Sequence, residues 1–341
     1  MDQMTGSAGN NTSHCPSIDD FRNQVYSTAY SIITVFGLMG NGFALVVLIR
    51  TFRQSSPFHV YMLNLAVSDI LCVSTLPLRI LYYVNKGQWD LGDFLCRISA
   101  FALYVNLYCS IFFMAAMSVT RFLAIVFPVQ NLRLTTICRA RLVCVCIWMF
   151  VCIASSPFLL TGQHIDRKTG KTKCFEPPSG PNLKNLLILN YLAFVLGFAL
   201  PFLIILICYV GIIRTLLSRN HSARRNRAND TKAIRMIVIV MLAFLISFMP
   251  YHVQRSIHLS FLFQKGKTCE EQVAMQKFVV VTLCLAASNS CFDPLLYFFS
   301  GEGFRTRLMT LHKSTKVRGL QQSAKFNTAA EPGSRKTKEL M

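Results

Sequence analysis

Two acidic side chains lie inside long apolar stretches of this sequence, at Asp69 and Asp293. A carboxylate is costly to bury in apolar surroundings, so an acid at such a position indicates a bound cation, a shared proton or trapped water. Amide and hydroxyl side chains occur in neighbouring apolar stretches, at Asn106, Ser110 and Asn289. Because these oxygen donors suit a hard monovalent cation, the set predicts a site for a sodium ion or a proton. A water-filled packing network is the alternative.

Two arginines show the opposite pattern. Arg79 lies ten residues after Asp69 in the same apolar stretch, about 15 Å further along a helix, and Arg255 lies in another stretch. No acid occurs at a matching depth, and a guanidinium binds carboxylates and phosphates through a planar, bidentate fork. Tyr251 shares the helix face of Arg255 at a spacing of four residues. The pattern predicts a cationic cavity for an anionic ligand, with snorkelling of each arginine to lipid headgroups as the alternative.

A third arginine, Arg121, lies near the end of an uncharged run that starts after Arg97. At about 100° per residue, Cys96, Asn106, Ser110 and Arg121 fall within roughly a quarter of the helix circumference. This spacing predicts a helix with one polar face, packed at the centre of a bundle. Snorkelling of Arg121 to the headgroups is again the alternative.

The composition tells which elements must position these side chains. The 341 residues are 53% hydrophobic and only 15% charged, which excludes an ordinary soluble domain. Apolar runs begin near residues 24, 58, 98, 140, 187, 233 and 275, each long enough to cross the ~30 Å hydrocarbon core. The sequence therefore predicts an all-α membrane protein with a seven-helix transmembrane bundle over 24–300. An extracellular tail is expected at 1–23, an amphipathic helix on the inner membrane surface at 301–312 and a cytoplasmic tail at 313–341.

Basic residues are concentrated in alternate connections and in the C-terminal segment. The positive-inside rule then places the N-terminus outside and the C-terminus in the cytosol, as expected for a plasma-membrane protein. The net charge of +20 reflects this topology and contact with anionic membrane lipids, not binding of nucleic acid. Overlapping glycosylation sequons begin at Asn10 and Asn11. Four cysteines fall on the predicted outer side and indicate two disulfides: Cys15, Cys96, Cys174 and Cys269.

Markers in all seven apolar runs resemble the rhodopsin-like (class A) G-protein-coupled receptors. In chain order they are Gly40-Asn41, Leu65-Ala66-Val67-Ser68-Asp69, Arg121, Trp148, Pro201 with Tyr209, Phe248-Met249-Pro250-Tyr251 and Asp293-Pro294-Leu295-Leu296-Tyr297. The resemblance, over about residues 24–312, implies a disulfide between Cys96 and Cys174. It also implies coupling to a heterotrimeric G protein through Arg121, Tyr209 and Tyr297, with arrestin and receptor kinases as further partners.

Within that family, the stretches ALYVNLYCSIFFM, KCFEPP and SFMPYHVQR resemble the cysteinyl leukotriene receptors, most closely the type 1 group. This implies an anionic lipid with a peptide head as agonist, contacted by Arg79, Tyr104, Tyr251 and Arg255. It also implies signalling mainly through Gq-class proteins to raise intracellular calcium. A purinergic (nucleotide) receptor, or a receptor for another acidic lipid, is the alternative, because phosphates also pair with the two arginines.

Other functional classes fit less well. A retinal protein requires a Schiff-base lysine in the last span, and residues 278–299 contain none. A channel or transporter requires a continuous polar path, whereas the charges here lie at two depths with apolar layers between them. No nucleophile–base set stands out, so the sequence predicts neither an enzyme nor a cofactor other than the sodium ion.

The sequence also departs from the family pattern. Thr120 stands where an acid normally precedes Arg121, so the intrahelical ion pair that restrains the inactive state is missing. Phe248 stands where a tryptophan is frequent, and Asp293 where most relatives carry asparagine. These departures leave the restraint of basal activity open.

Overall fold

The computed structural model describes residues 16–50, 56–160, 162–166, 169–175, 183–218, 224–263, 266 and 268–300. Within them, seven helical stretches are long and apolar enough to cross a membrane, and we refer to them as spans 1 to 7. They are Asp19–Arg50, Pro57–Val84, Asp93–Val126, Ile137–Leu160, Leu187–Ser218, Ile237–Phe261 and Cys269–Leu295. The predicted seven-helix bundle is confirmed. The amphipathic helix predicted at 301–312 lies outside the described residues.

Local breaks divide several spans into shorter helices. The helices are α1 Asp19–Arg50, α2 Pro57–Val73, α3 Leu76–Val84, α4 Asp93–Val126, α5 Pro128–Leu134, α6 Ile137–Ser155, α7 Pro157–Leu160, α8 Leu183–Leu192, α9 Leu200–Ser218, α10 Arg224–Phe261, α11 Cys269–Ala287 and α12 Asn289–Ser300. A π-helical turn, Ala193–Ala199, joins α8 to α9. Two short strands, β1 His164–Ile165 and β2 Thr172–Lys173, form an antiparallel hairpin between spans 4 and 5.

The break in span 2 follows from Pro77, which has no N–H to continue the helical ladder. The chain leaves the α-helix after Val73 and resumes at Leu76, and the Thr75 hydroxyl donates to the Cys72 carbonyl at 2.7 Å. The interruption of span 2 therefore lies just before Pro77. It sets the direction of α3, the helix that carries Arg79.

The π-helical turn locally widens span 5 and ends two residues before Pro201, which lacks the N–H of the helical hydrogen-bond ladder. Gly197, within this turn, lies against the ring of Tyr108 in span 3. A Cβ at Gly197 would lie 2.6 Å from Tyr108 Cε1, so no larger residue fits without displacing the ring. The turn thus brings span 5 close to the centre of the bundle.

Spans 1 and 7 also approach closely. A Cβ at Gly40 would lie 2.7 Å from Cγ of Pro294, and the Asn41 side-chain amide donates to the Ser290 carbonyl at 2.7 Å. The absence of a side chain at Gly40 therefore permits the close approach of the two spans. Gly42, on the other side of Asn41, has open space where its Cβ would stand.

Two clusters of buried apolar side chains fill the bundle. The larger one surrounds Phe113, Phe244 and Phe248 and contains residues of all seven spans. The smaller one contains Tyr30 and Tyr82 and lies beside the disulfide that joins Cys96 to Cys174. We refer to this end of the bundle as the disulfide end and to the opposite end as the Arg121 end.

Candidate functional site

The disulfide end is closed on one side by the β-hairpin. Cys96, at the start of span 3, is bonded to Cys174, just after β2, with their Cα atoms 5.8 Å apart. This confirms the disulfide that the resemblance implied. Cys269 is disulfide-bonded as well; Cys15, the fourth cysteine of the predicted outer set, lies outside the described residues, as do Asn10 and Asn11.

The disulfide places Phe175 over Arg79. The guanidinium carbon lies 4.0 Å from the centre of the Phe175 ring, and Arg79 Nη2 donates to the Ser99 carbonyl at 3.3 Å. Arg79 is only 3% exposed, and its Nε finds no acceptor in the described part of the chain. The side chain therefore does not snorkel to solvent, and it retains an unused donor.

Arg255 lies among tyrosines. It interacts electrostatically with the hydroxyls of Tyr251, Tyr104, Tyr108 and Tyr26, from spans 6, 3 and 1. The side chains of Tyr104 and Tyr251 are hydrogen-bonded to each other. Three of the four residues that the resemblance implied for the ligand are therefore neighbours: Tyr104, Tyr251 and Arg255.

The fourth residue, Arg79, is linked to this group of tyrosines through Tyr30 and Tyr26 of span 1. Tyr30 interacts electrostatically with Arg79 and with Tyr104, and it stacks on Tyr26 with ring centres 5.3 Å apart. We refer to Arg79, Arg255 and the tyrosines around them as the arginine site. Its members from span 1 were not predicted from the sequence, although their spacing of four residues puts them on one helix face.

Among the residues that the structure describes, the arginine site has positive charge without a matching acid. The structure gives neither Arg79 nor Arg255 a carboxylate partner within the residues it describes, whereas Arg22 pairs with Asp19 and Arg97 with Asp93. The guanidiniums of the buried Arg79 and the half-buried Arg255, surrounded by aromatic rings and hydroxyls, can bind an anion with a large apolar part.

A second polar cluster lies deeper in the bundle, and we refer to it as the acid site. Asp69 Oδ1 accepts from Asn106 Nδ2 at 2.8 Å and from the Ser290 hydroxyl at 3.1 Å. The carboxyl groups of Asp69 and Asp293 are close enough to hydrogen-bond to each other when one of them carries a proton. Two adjacent acids cannot both be charged here without a compensating cation.

Several atoms of the acid site have no hydrogen-bond partner among the described residues. They are the Asp69 and Asp293 Oδ2 atoms, the Ser110 hydroxyl and both polar side-chain atoms of Asn289. Each of these residues is at most 2% exposed. Orphaned oxygens at a buried pair of carboxyls fit a small hard cation. Of the predicted sodium ligands, Asp69 interacts with both Asn106 and Asp293, Ser110 lies one helical turn after Asn106, and Asn289 precedes Ser290 in the chain.

At the Arg121 end, the guanidinium of Arg121 lies 4.5 Å from the centre of the Phe58 ring in span 2. Thr120 hydrogen-bonds to the side chain of Tyr61, also in span 2, and donates to the Ala116 carbonyl at 2.9 Å. Contacts from span 2 thus surround the position where the family's ion pair is missing.

Tyr209, the second residue predicted to couple to a G protein, is buried beside Arg121. Its hydroxyl accepts from Ser118 Oγ at 3.0 Å, and it interacts electrostatically with Arg121. The side chain of Tyr297, the third residue of that prediction, lies outside the described part.

The chain matches the model of the 7 transmembrane receptor (rhodopsin family) over residues 40–297. It is 60% identical to cysteinyl leukotriene receptor 1 of Cavia porcellus, over 90% of this chain and 89% of the relative. It is also 60% identical to cysteinyl leukotriene receptor 1 of Homo sapiens, over 87% and 88% of the two chains. Cysteinyl leukotriene receptor 2 of Mus musculus is 40% identical, over 91% of this chain and 98% of the relative.

Proposed function

Because the chain belongs to the rhodopsin family of seven-transmembrane receptors, we propose that it is a receptor for cysteinyl leukotrienes. This family consists of receptors, not enzymes. The observation that carries the proposal is the arginine site, where two arginines without a described carboxylate partner lie among tyrosine rings. The names of the relatives that share 60% identity agree with this ligand class.

In the proposed complex, the carboxylates of the ligand pair with Arg79 and Arg255. The Nε donor of Arg79, which finds no acceptor among the described residues, gives a buried anion a hydrogen bond. Tyr104 and Tyr251 donate hydroxyl hydrogens in place of the bond they make to each other. The aromatic walls take up the apolar chain of the ligand.

The disulfide end faces the outside of the plasma membrane in this proposal, and the Arg121 end faces the cytosol. The excess of basic residues in the alternate connections supports this orientation. A disulfide forms and persists in an oxidising compartment, which agrees with it.

Ligand binding is proposed to shift span 6 about Pro250. Tyr251, next to that proline, belongs to the arginine site, so a ligand contacting it has different interactions in the two arrangements of span 6. Opening of the Arg121 end then exposes Arg121 and Tyr209 to a heterotrimeric G protein. We expect Gq-class proteins and a rise in intracellular calcium, with arrestin and receptor kinases as later partners.

The acid site is proposed to hold a sodium ion. Asp69 and Asp293 would supply negative charge, and Ser110, Asn106 and Asn289 would supply neutral oxygens. The ion would neutralise the two carboxyls and favour the packing in which spans 2, 3 and 7 are close, so it would oppose agonist binding.

Intracellular calcium in cells that express the chain tests the proposal directly. Cysteinyl leukotrienes are applied beside uridine and adenosine nucleotides, with untransfected cells as the control. A response to leukotrienes alone is expected. A response to nucleotides alone would assign the same two arginines to phosphates and overturn the proposed ligand class.

A further inference from the structure

The back of span 6 carries a cavity of about 420 Å³ at the disulfide end. Its lining comes from spans 5, 6 and 7: Tyr191, Ser256, Ile257, Ser260, Phe261 and Met275. At 100° per residue, Ser260 lies about 140° around the helix from Arg255, which faces the arginine site. Since Ile257 is 47% and Tyr191 45% exposed, the cavity opens on the side of span 6 that faces lipid.

Two hydroxyl groups lie at this cavity. Tyr191 Oη and Ser260 Oγ are 3.0 Å apart, and either can donate to the other. Two hydroxyls that share one hydrogen bond leave one O–H without an acceptor in the part of the chain described. A ligand that carries a hydroxyl group can supply that acceptor, so a hydroxyl-bearing ligand would be favoured.

The neighbouring side chains fix the depth and shape of the site. Ser260 precedes the last residue of α10, so the hydroxyl pair lies near the end of the helix, at the level of the membrane interface. Further into the membrane, Val253, Met249 and Ile246 follow on the same face of span 6, and the last two are 46% and 50% exposed. The site therefore has hydroxyl groups near the membrane interface and an apolar, lipid-facing surface further into the membrane.

We propose that this cavity binds a sterol, with the sterol hydroxyl on the Tyr191–Ser260 pair and the ring system along the back of span 6. A sterol has one hydroxyl and a rigid apolar body, which matches this distribution of groups. A phospholipid headgroup carries a phosphate, and no lysine or arginine is among the residues that line the cavity. Its volume lies within the range of small-molecule sites, about 300–1,000 Å³.

A sterol in this cavity would also contact the hydrogen bond that joins spans 5 and 6, and could thereby regulate the receptor. Asn190 in span 5 donates to Ser256 in span 6 at 3.0 Å, so the cavity spans a hydrogen-bonded seam between these two spans. A sterol across this seam contacts both spans and favours one of their arrangements over the other. This regulatory step rests on the proposed function, whereas binding of the sterol does not.

Photolabelling tests the binding. The full chain, in nanodiscs of phosphatidylcholine, is labelled with a photoactivatable cholesterol, and the labelled peptides are mapped by mass spectrometry. We expect label on the peptides of residues 191 and 256–261, displaced by cholesterol but not by its 3α-hydroxy epimer. The double variant Tyr191→Phe with Ser260→Ala should reduce this label about fivefold, since a sterol hydrogen bond is lost.

Ser31→Ala is the matched control, because Ser31 carries a lipid-exposed hydroxyl of span 1 that donates to the Ser27 carbonyl in its own helix. It should leave the label unchanged. Label spread over all lipid-facing peptides, equal displacement by the epimer, or the same peptides labelled by a photoactivatable phosphatidylcholine would overturn the sterol site. Since labelling requires no agonist, its failure is distinguishable from failure of the proposed leukotriene function.

Discussion

The arginine site and the acid site share span 2, with Arg79 and Asp69 ten residues apart, yet they carry opposite charge and differ in size. In the arginine site, Arg79 lies over the Phe175 ring and Arg255 lies near tyrosines of several spans, which are large side chains. In the acid site, short side chains close around two carboxyls. The first arrangement suits a large anion with apolar parts, and the second suits a single small cation.

The break in span 2 separates the two sites. Asp69 lies in α2 and Arg79 lies in α3, so the break around Pro77 gives the two charges different directions. In a regular α-helix, two side chains ten residues apart project about 80° apart around a single axis. In span 2 the break also changes the direction of that axis. The deformation lets one span supply a charge to the wall of the arginine site and another to the acid site at the bundle centre.

The largest effect is expected from removing the arginines. Arg79→Ala and Arg255→Ala should each lower agonist potency roughly ten- to hundredfold, because a hydrogen bond to a charged group contributes about 1.5–3 kcal/mol. Leukotriene-evoked calcium, measured at equal surface expression, provides the reading. If both variants kept the potency of the unmodified chain, the arginine site would not be the ligand site.

Lysine variants sharpen this comparison. Arg79→Lys and Arg255→Lys keep the charge but lose the bidentate fork, so they should recover only part of the potency. Arg97→Ala is the matched control, since Arg97 pairs with Asp93 and the Leu159 carbonyl, outside the arginine site. Equal losses in Arg97→Ala and Arg79→Ala would indicate a general loss of folding.

A smaller effect is expected at the acid site. Asp69→Asn keeps the shape of the side chain and removes its charge, so sodium should no longer lower agonist affinity. For the unmodified chain we expect sodium to lower that affinity by about five- to tenfold, in the lower range of allosteric couplings. Agonist displacement of a radiolabelled antagonist is measured in sodium and in N-methylglucamine buffers of equal ionic strength.

Asn64→Ala is the control for this experiment, because Asn64 lies on the same helix but bonds to Trp148 and not to Asp69. It should keep the sodium effect. Undiminished sensitivity of Asp69→Asn to sodium would exclude the acid site as the place where the ion acts.

Much of the architecture could be predicted from the sequence, since span length and hydrophobicity are local properties. Arg79 and Arg255 stood out because charges inside apolar runs are rare. Phe175 did not, because its place over Arg79 depends on the disulfide and the hairpin, which join segments distant in the chain. Tyr26 and Tyr30 were missed for a similar reason, since an aromatic pair on a membrane helix is ordinary until a neighbouring span supplies an arginine.

The smallest effect is expected at the Arg121 end, where no acid precedes Arg121. Its guanidinium lies over Phe58, and a cation–π contact contributes about 0.5–1 kcal/mol, or more when desolvated. Phe58→Leu removes the ring but keeps an apolar side chain, so basal G-protein activation should rise roughly two- to fivefold if this contact restrains the inactive packing.

Phe58→Tyr keeps an aromatic face and should leave basal activity low. Agonist-free inositol phosphate accumulation at equal surface expression measures the difference, and equal basal levels in the leucine and tyrosine variants would show that the ring exerts no restraint on Arg121.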